Sequence, residues 1–548
     1  MSEPTFETHR VSNQPPAYAG RNLLYADPVL RTVLDAVMDA GAEEALERLG
    51  AFCGSHEAAD MARLANDEAP RLKSHDRHGR RLDIVDFHPA YHAFMRRSAE
   101  TGLHASIWEA GGDEDGRRFQ LRAARLFLMA QVESGHLSPI GMTSAVLSAL
   151  RGTTGLMAEL AAKARERRYD HRFLAPEKKI GLTFGLAFTE KQAGSDLAAI
   201  TTRAEPGEAG LYRLIGHKWF FAAPMSDAFL VLAQAPGGLS AFLMPRFLPE
   251  GTVNKIRLLR LKERLGNRSA AVAEAEFEGA EAWLVGAEGD GLEVVEEPVR
   301  LCRLDATTVA AGLMRAALGQ AVHHVRHRQA FGKPLIAQPL MSRLLADMAL
   351  DVAAATALSL RLARAFDARH GNETEAAFAR LVTPAAKYWI AKSAPALIAE
   401  AMECLGGNGA VEENELARLY RDAPEMIMAG GTGNVLCLDV LGELDREPAA
   451  LDAVLADIRS DLGEHSLVSV DVLKAAAKAC KEDVGSARIL TEQLALTAAA
   501  ASLRRYLPRA IGDAFLYTRL GGQWRATYGM LDGRFDSAGL VDYMFPPA

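Results

Sequence analysis

The sequence predicts a mainly α-helical protein with a central β-barrel domain. Apolar residues recur at helical spacing in residues 27–40 and 117–133, and long Ala- and Leu-rich stretches with the same period follow residue 292. Between about residues 181 and 286 the period changes to that of β-strands. Short β-type runs, separated by Gly, Pro and Asp, lie there at residues 211–215, 229–233 and 239–244. We therefore expect an antiparallel sheet or barrel between two helical regions.

Length and composition exclude several classes of protein. A chain of 548 residues is too long for one ordinary core and indicates roughly three or four domains. Hydrophobic residues make up 49% and charged residues 24%, which excludes a wholly disordered or collagen-like chain. No apolar run approaches the roughly 20 residues of a membrane helix, and the first residues lack the features of a secretory signal. These features predict a cytoplasmic protein.

The predicted domains follow changes in composition. The opening stretch, with Pro15 and Pro16, is typical of an extended arm, and the composition shifts again around residues 445–448. We predict an N-terminal arm and helical domain (residues 1–180), a β-barrel domain (181–290), a helical bundle domain (291–444) and a C-terminal helical extension (445–548).

The charged residues and cysteines indicate neither a metal nor a polyanion. The formal net charge is −8, which gives no global reason to expect nucleic acid. The five cysteines are far apart and form no C-x-x-C pair, which is typical of reduced thiols. His323 and His327 share a helix face, but no glutamate completes an H-E-x-x-H pattern, so we predict no metal site.

Two segments in the β region could contact a planar cofactor. In A-F-T-E-K-Q-A-G-S-D at residues 187–196, small and hydroxyl residues would let backbone N–H groups approach a ring or phosphate closely. The alternative is a strand followed by an Asp-capped turn. In G-H-K-W-F-F-A-A at residues 216–223, aromatic side chains could form a flat wall, or they could simply belong to the core.

Three segments in the second helical region could contact phosphates. Arg328 closes a long helix, where its guanidinium could bind a pyrophosphate or merely satisfy the helix end. The glycine-rich turns at residues 405–409 and 430–434 suit a phosphate or ribose, or could be plain helix connections. The glycines of residues 286–291 mimic a dinucleotide loop, but no βαβ unit surrounds them.

In this order, these segments together resemble the acyl-CoA dehydrogenase superfamily of FAD flavoproteins. The resemblance rests on T-E-x-x-A-G-S-D at 189–196, on residues 216–222, which are similar to the family's G-x-K-x-W-I-T, and on R-x-x-F-G at 328–332, G-G-x-G at 406–409 and Y-R-D at 420–422. Within the superfamily the chain most resembles the AidB-like, alkylation-response branch. Segments typical of that branch are N-Q-P at 13–15, Q-V-E-S-G at 131–135, E-K-Q at 190–192, R-L-G-N-R-S at 264–269, T-G-N at 432–434 and C-L-D-V at 437–440.

The resemblance implies a fold and a cofactor site. It implies an N-terminal helical domain, a β-barrel, a four-helix bundle and a C-terminal helical domain, with FAD between barrel and bundle. It also implies a homotetramer, in which residues from one subunit reach the FAD of its neighbour. The implied flavin residues are Ala187, Phe188, Thr189, Gly194, Ser195, Phe220, Phe221 and Ala222. Those toward the neighbour's FAD are Arg328, Phe331, Glu403, Gly406 and Gly407, and those toward the pyrophosphate are Gly431, Thr432 and Asn434.

The chain departs from the family at the catalytic base. The family's usual glutamate, which would take the α-proton of an acyl-CoA, corresponds to Gly430, and Ala429 replaces its aromatic neighbour. Other members carry the glutamate at a position that corresponds to Cys302. Asp305, three residues farther along the helix, is the nearest substitute, although its short side chain and a pairing with Arg303 would favour a structural role.

The sequence therefore leaves three functions open. The first is an FAD oxidoreductase acting on an acyl-CoA or a similar small carbon acid. The second is a base-free use of the scaffold, in which oxygen chemistry makes it a monooxygenase or detoxifies electrophiles. The third is a DNA-associated alkylation-protection protein. Residues 445–548 hold 12 basic and 14 acidic residues, and an ordinary solvated face is favoured there. Five arginines of this region could hold double-stranded DNA if the fold brings them together: Arg504, Arg505, Arg509, Arg519 and Arg525.

Overall fold

The computed structural model describes residues 8–109, 116–521 and 535–546. Its first region is helical, as expected, and α1 begins where the Asp27 carboxylate accepts a hydrogen bond from the Leu30 N–H. The helices of this region are α1 (Pro28–Leu34), α2 (Ala40–Cys53), α3 (His56–Asp67), α4 (Pro89–Glu100), α5 (Arg118–Ala130), α6 (Leu137–Ala149) and α7 (Gly155–Ala164).

A β-hairpin interrupts these helices, a feature that the sequence did not predict. Strands β1 (Arg71–His75) and β2 (Arg81–Asp86) pair antiparallel around a turn in which Asp76 accepts the N–H of His78. Arg81 Nη2 donates to the Leu258 carbonyl at 2.8 Å, which ties the hairpin to the barrel that follows. Because the hairpin is short and rich in charge, its residues show little apolar alternation.

The central region is a barrel, as predicted. Its strands are β3 (Phe184–Ala187), β4 (Arg203–Pro206), β5 (Leu211–Ala222), β6 (Ala228–Ala235), β7 (Gly238–Pro245), β8 (Ile256–Leu261) and β9 (Val272–Val285). Within the part of the chain that the structure describes, β4, β5, β9, β7 and β6 close a ring, while β3 lies beside β6 and β8 beside β9. β6 runs parallel to β3 and β4, so the sheet is mixed rather than wholly antiparallel.

Long helices follow the barrel, and the short ladder of β10 and β11 connects the first two. The elements are α8 (Gly291–His327), β10 (Gln329–Ala330), β11 (Lys333–Pro334), α9 (Pro339–Ala368), α10 (Glu373–Cys404), α11 (Glu415–Met428), α12 (Gly433–Arg446), α13 (Ala449–Leu462), α14 (Ser466–Glu482), α15 (Ala487–Tyr506), α16 (Arg509–Phe515) and α17 (Ser537–Met544). No helix within the described ranges is long and apolar enough to cross a membrane.

One apolar core joins the first helices to the last ones. Leu24, Leu358, Leu455 and Met544 are all buried in the same cluster. At its edge the guanidinium of Arg315 on α8 bonds Asp27 Oδ2 at 2.8 Å and lies 3.8 Å from the Phe545 ring centre. The mainly α fold with a central barrel is therefore confirmed, and its helical regions share a core.

Candidate functional site

A buried ion pair fixes the loop that follows β3. Lys218 Nζ lies 2.8 Å from Glu190 Oε1, and both side chains are fully buried. The same ammonium donates to the carbonyls of Phe188 at 3.2 Å and Leu232 at 2.8 Å, while Glu190 Oε2 accepts the N–H of Thr201 at 2.8 Å. Burial raises the pKa of Glu190, but Lys218 and these hydrogen bonds lower it to about 2. The charged pair therefore holds the loop in one conformation.

The loop presents hydroxyl and small residues at its surface. Phe188 and Thr189 are half-buried, and Gly194 and Ser195 are exposed. The Trp219 N–H donates to the Thr189 carbonyl at 2.9 Å, which joins the loop to β5. The predicted flavin residues of the loop therefore lie beside those of β5.

Two of the predicted flavin residues have buried side chains. Phe221 is fully buried in the barrel core, with its ring 4.3 Å from the Phe229 ring, and Ala187 is also fully buried. A register shift between Lys218 and Phe221 turns both of these side chains inward, so any contact of Phe221 or Ala187 with a cofactor would be made by the backbone. Phe220 faces outward with 46% of its surface exposed, and Ala222 is half-buried.

Two cationic side chains hold the turn between α11 and α12. Gly430 and Gly431 have φ angles of +69° and +114°, which favour glycine. Arg303 Nε donates to the Gly430 carbonyl at 2.7 Å, and Lys387 Nζ donates to the carbonyls of Gly431 at 2.6 Å and Ile427 at 2.7 Å. Lys387 is fully buried; burial, with repulsion from neighbouring cations, lowers its pKa to about 7. Thr432 and Asn434 are exposed just beyond this turn.

The two positions at which the resemblance implies a catalytic base, Cys302 and Gly430, are joined through one side chain. Arg303 follows Cys302 directly on α8, and its guanidinium donates to the Gly430 carbonyl. Burial, reinforced by Asp305, raises the pKa of the Cys302 thiol to about 12, so that thiol is not a base near neutral pH.

Asp305 is buried in a different ion pair from the expected one. Arg303 pairs with Asp439 at 2.6 Å, so the predicted pairing of Asp305 with Arg303 is wrong. Asp305 instead pairs through both carboxylate oxygens with Arg122 on α5, whose Nη2 lies 2.8 Å from Oδ2. A Cβ built on Gly141 of α6 would lie only 2.7 Å from Asp305 Oδ2. The carboxylate therefore joins α5, α6 and α8.

The remaining predicted cofactor residues lie at the ends of α8 and α10. Arg328 is half-buried, and Phe331 has a φ of +52° with 95% of its surface exposed. Glu403 is exposed, and Cβ atoms built on Gly406 or Gly407 would meet no heavy atom within 4 Å. These two glycines therefore leave open space at the surface.

Three of the five arginines predicted to hold DNA phosphates form ion pairs within the chain. Arg504 pairs with Asp513, Arg505 with Asp457 and Asp461, and Arg519 with Asp347 and Asp351. Arg509 is exposed, and Arg525 lies outside the described residues. Aspartates therefore neutralise three of the predicted guanidinium groups, and the contact with DNA stays a prediction.

Comparison with known proteins identifies the family. Three family models match: the N-terminal domain of adaptive response protein AidB over residues 13–171, and the middle and C-terminal domains of acyl-CoA dehydrogenase over 185–280 and 289–444. The AidB protein of Escherichia coli, named as an acyl-CoA dehydrogenase, is 42% identical over 529 residues, which cover 94% of this chain and 95% of that protein. The chain belongs to the AidB branch of the acyl-CoA dehydrogenase family. Acyl-CoA dehydrogenase family member 11 of Caenorhabditis elegans is 31% identical over 404 residues, 70% of this chain and 64% of that protein.

Solved structures agree with this family. The Bd2924 apo-form has a TM-score of 0.81 at 26% identity and covers 90% of this chain and 99% of its own. Caenorhabditis elegans ACDH-11, solved in complex with C11-CoA, has a TM-score of 0.81 at 25% identity and covers 98% of this chain and 93% of its own.

Members of this family bind FAD, which confirms the predicted cofactor. The residues of this chain fit it. The exposed ring of Phe220 offers a flat apolar surface, and Gly406 and Gly407 leave room for a ligand to approach the backbone. The N-terminus of α12, at Thr432, has no side-chain cap among the residues described, so its N–H groups suit a pyrophosphate.

Sequence reasoning missed the residues that hold these surfaces in place. Lys218 belongs to the motif at residues 216–223, but its pairing with Glu190 depends on the register of the barrel strands. In the sequence, Arg122 and Lys387 are marked only as charged residues within apolar helices. That pattern indicates a buried ion pair or hydrogen bond but does not identify the partner.

Proposed function

We propose that this protein is an FAD-dependent oxidoreductase of the acyl-CoA dehydrogenase type that binds acyl-CoA but reduces its flavin slowly. Bound FAD would supply the acceptor for a hydride from the substrate's β-carbon. The protein must hold the thioester and remove the α-proton, and a positioned base contributes roughly 10²- to 10⁴-fold to such a step. Gly430 has no side chain with which to do so.

The observation that carries this proposal is the set of charges around Gly430. Arg303 stays charged, and Lys387 Nζ is buried and directed at the carbonyls of Gly431 and Ile427, so we expect neither side chain to take the substrate's proton. Asp305 already binds Arg122 through both oxygens, so protonating it would break a buried ion pair. Cations near the thioester would stabilise the negative charge that develops on its oxygen as the α-proton leaves, but they do not supply the base that takes this proton.

The acyl-CoA class is supported by the relatives. The Caenorhabditis elegans structure was solved with C11-CoA, and the curated relatives reported above are named as acyl-CoA dehydrogenases. We carry this substrate class to the present chain as part of the proposal.

The first test is to mix the FAD-loaded protein anaerobically with acyl-CoAs of different lengths and follow the flavin absorbance. We expect binding to shift the absorbance bands with little bleaching. Gly430→Glu should then reduce flavin at least about 10²-fold faster, because it restores a base. Gly430→Gln is the matched control, since it has the same length and backbone strain without the carboxylate.

Two outcomes would contradict this proposal. Fast and complete bleaching of the unaltered protein would mean that another group takes the proton. If no acyl-CoA altered the flavin spectrum of the loaded protein, the substrate class would be wrong.

We also propose that the protein assembles as a homotetramer in which Arg328, Glu403 and the 406–407 turn face a neighbour's FAD. The exposure of Phe331 (95%) and Leu340 (85%) near the α8–α9 connection supports contact with a second copy. Light scattering should give four chains per particle, and Phe331→Ser should lower both that number and the FAD content. A monomer with full FAD content would exclude cross-subunit binding.

A further inference from the structure

The N-terminal arm, residues 8–22, binds the end of α8 through a three-bond clamp. Asn13 Oδ1 accepts the N–H of Gln329 at 2.7 Å, and Asn13 Nδ2 donates to the carbonyl of the same residue at 2.8 Å. In return, Arg328 Nη1 donates to the Asn13 carbonyl at 2.6 Å. One arm residue therefore contacts two consecutive residues that lie more than 300 positions away.

The conformation of Asn13 explains why this residue type suits the clamp. Its φ of +55° lies in the left-handed region, which asparagine tolerates better than most residues. Its side-chain amide has one acceptor and one donor, so it can pair with a backbone N–H and C=O at once, as a neighbouring strand would. Gln329 belongs to β10, so the amide extends the short ladder of β10 and β11.

The rest of the arm keeps Asn13 in place. The Pro16 carbonyl lies 2.8 Å from His323 Nε2, and the Arg21 guanidinium stacks 4.0 Å from the centre of the Tyr18 ring. Arg21 Nη2 also lies 3.4 Å from His323 Nδ1. These contacts lie along the last two turns of α8, so the arm has a defined path toward Arg328.

We infer that Asn13 is a positioning residue of the FAD site that acts through Arg328. This inference rests on the proposed function, in which Arg328 contacts FAD. A free arginine side chain samples many rotamers, and binding must then restrict them. The backbone carbonyl of Asn13 accepts one N–H of Arg328, and the Asn13 side chain holds that carbonyl in place through Gln329. The guanidinium is therefore restricted before FAD binds, and its other donors remain for a phosphate.

The test is a double-mutant cycle on FAD affinity. Apo-protein is titrated with FAD, and the quenching of FAD fluorescence gives the Kd of Asn13→Ala, Arg328→Ala, the double variant and the unaltered protein. We expect Asn13→Ala to raise the Kd about tenfold. Arg328 donates to the backbone carbonyl of residue 13, which alanine keeps, but the two side-chain bonds to Gln329 that hold this carbonyl in place are lost. The double variant should bind no more weakly than Arg328→Ala alone, because Asn13 acts through that side chain.

Controls separate positioning from general damage to the arm. Gln14→Ala changes the neighbouring exposed residue and should leave the Kd unchanged within about twofold. Glycine adopts the left-handed region without strain, so Asn13→Gly should weaken FAD binding less than Asn13→Ala if backbone strain contributes to the loss of affinity. The thermal midpoint of the apo-protein is measured for each variant. Because Asn13 lies on the exposed arm, any fall in Asn13→Ala should be small, and a large fall would mean general damage rather than positioning.

The outcomes distinguish this inference from the proposed function. If Arg328→Ala weakens FAD and Asn13→Ala does not, or if the two effects simply add, the positioning role of Asn13 is overturned while the function stands. If Arg328→Ala has no effect on the FAD Kd, the assignment of Arg328 to FAD fails, and the role of Asn13 fails with it.

Discussion

The barrel side and the bundle side of the site each contain a buried lysine, but the two lysines have different surroundings. Lys218, on the barrel side, faces the carboxylate of Glu190. Lys387, on the bundle side, faces backbone carbonyls and has Arg303 and Lys392 nearby. The barrel side is therefore held by paired opposite charges, whereas the Gly430 turn on the bundle side is held by cationic side chains that donate to backbone carbonyls. In the proposed function, the surface for the cofactor and the turn beside the substrate are therefore separate parts of one site.

Removing the paired charge on the barrel side should have the largest effect. Lys218→Met would leave the Glu190 carboxylate buried without a partner, which costs about 3–5 kcal/mol. We expect the free energy of unfolding in urea to fall by that amount and FAD content to fall with it. Lys191→Met, at an exposed position of the same loop, is the control and should change stability by less than about 0.5 kcal/mol. A small loss in Lys218→Met would show that the pair does not hold the loop.

The same pair should make stability depend on acid pH. The folded-state pKa of Glu190 is about 2, below its ordinary value of 4.5, so its contribution is complete above the unfolded-state pKa and is lost as pH falls toward 2. We expect urea midpoints measured between pH 5 and pH 2.5 to fall less steeply in Glu190→Gln than in the unaltered protein. Parallel curves for the two proteins would argue against a charged Glu190.

On the bundle side, the Asp305–Arg122 pair should matter for stability and not for proton removal. Asp305→Ala would leave Arg122 buried without its partner and cost about 3 kcal/mol. The double variant Asp305→Leu/Arg122→Met should recover much of this loss, because it buries no charge. Flavin reduction by acyl-CoA, measured per folded and FAD-loaded molecule, should be unchanged in both. A large loss of reduction in the double variant would make Asp305 the base.

The smallest effect concerns the Gly430 turn. Gly430→Ala should cost roughly 1–2 kcal/mol, because its φ is +69° and its Cβ would lie 3.2 Å from Arg303 Cγ. Gly442→Ala is the matched control: it lies within α12, where a Cβ would meet nothing within 4 Å, and should stabilise by roughly 0.5–1 kcal/mol. Thermal unfolding would measure both. The same shift in both variants would mean that the turn is not strained by a side chain.

The sequence predicted the helical and barrel regions because their apolar periods are long and differ clearly. It did not predict the β1–β2 hairpin, whose strands are polar and whose Arg81 bonds the carbonyl of Leu258 in a distant part of the chain. Alternation of side chains along β5 would not have distinguished the exposed Phe220 from the buried Phe221, because a register shift between Lys218 and Phe221 turns the side chains of both Lys218 and Phe221 inward. The partner of Asp305 could not be predicted, because Arg122 lies 183 residues away and only the packing of α5 against α8 brings them together.

The contact between Asp27, Arg315 and Phe545 has a consequence for synthesis of the chain. Asp27 is synthesised 288 residues before its partner Arg315. At typical elongation rates this interval lasts roughly 15–60 s, during which α1 cannot bury Leu30 against the bundle helices. Phe545 arrives later still. The first helices therefore cannot complete their packing until most of the chain has been synthesised. Slower translation or loss of chaperones should lower the yield of folded protein without lowering the stability of the molecules that have folded.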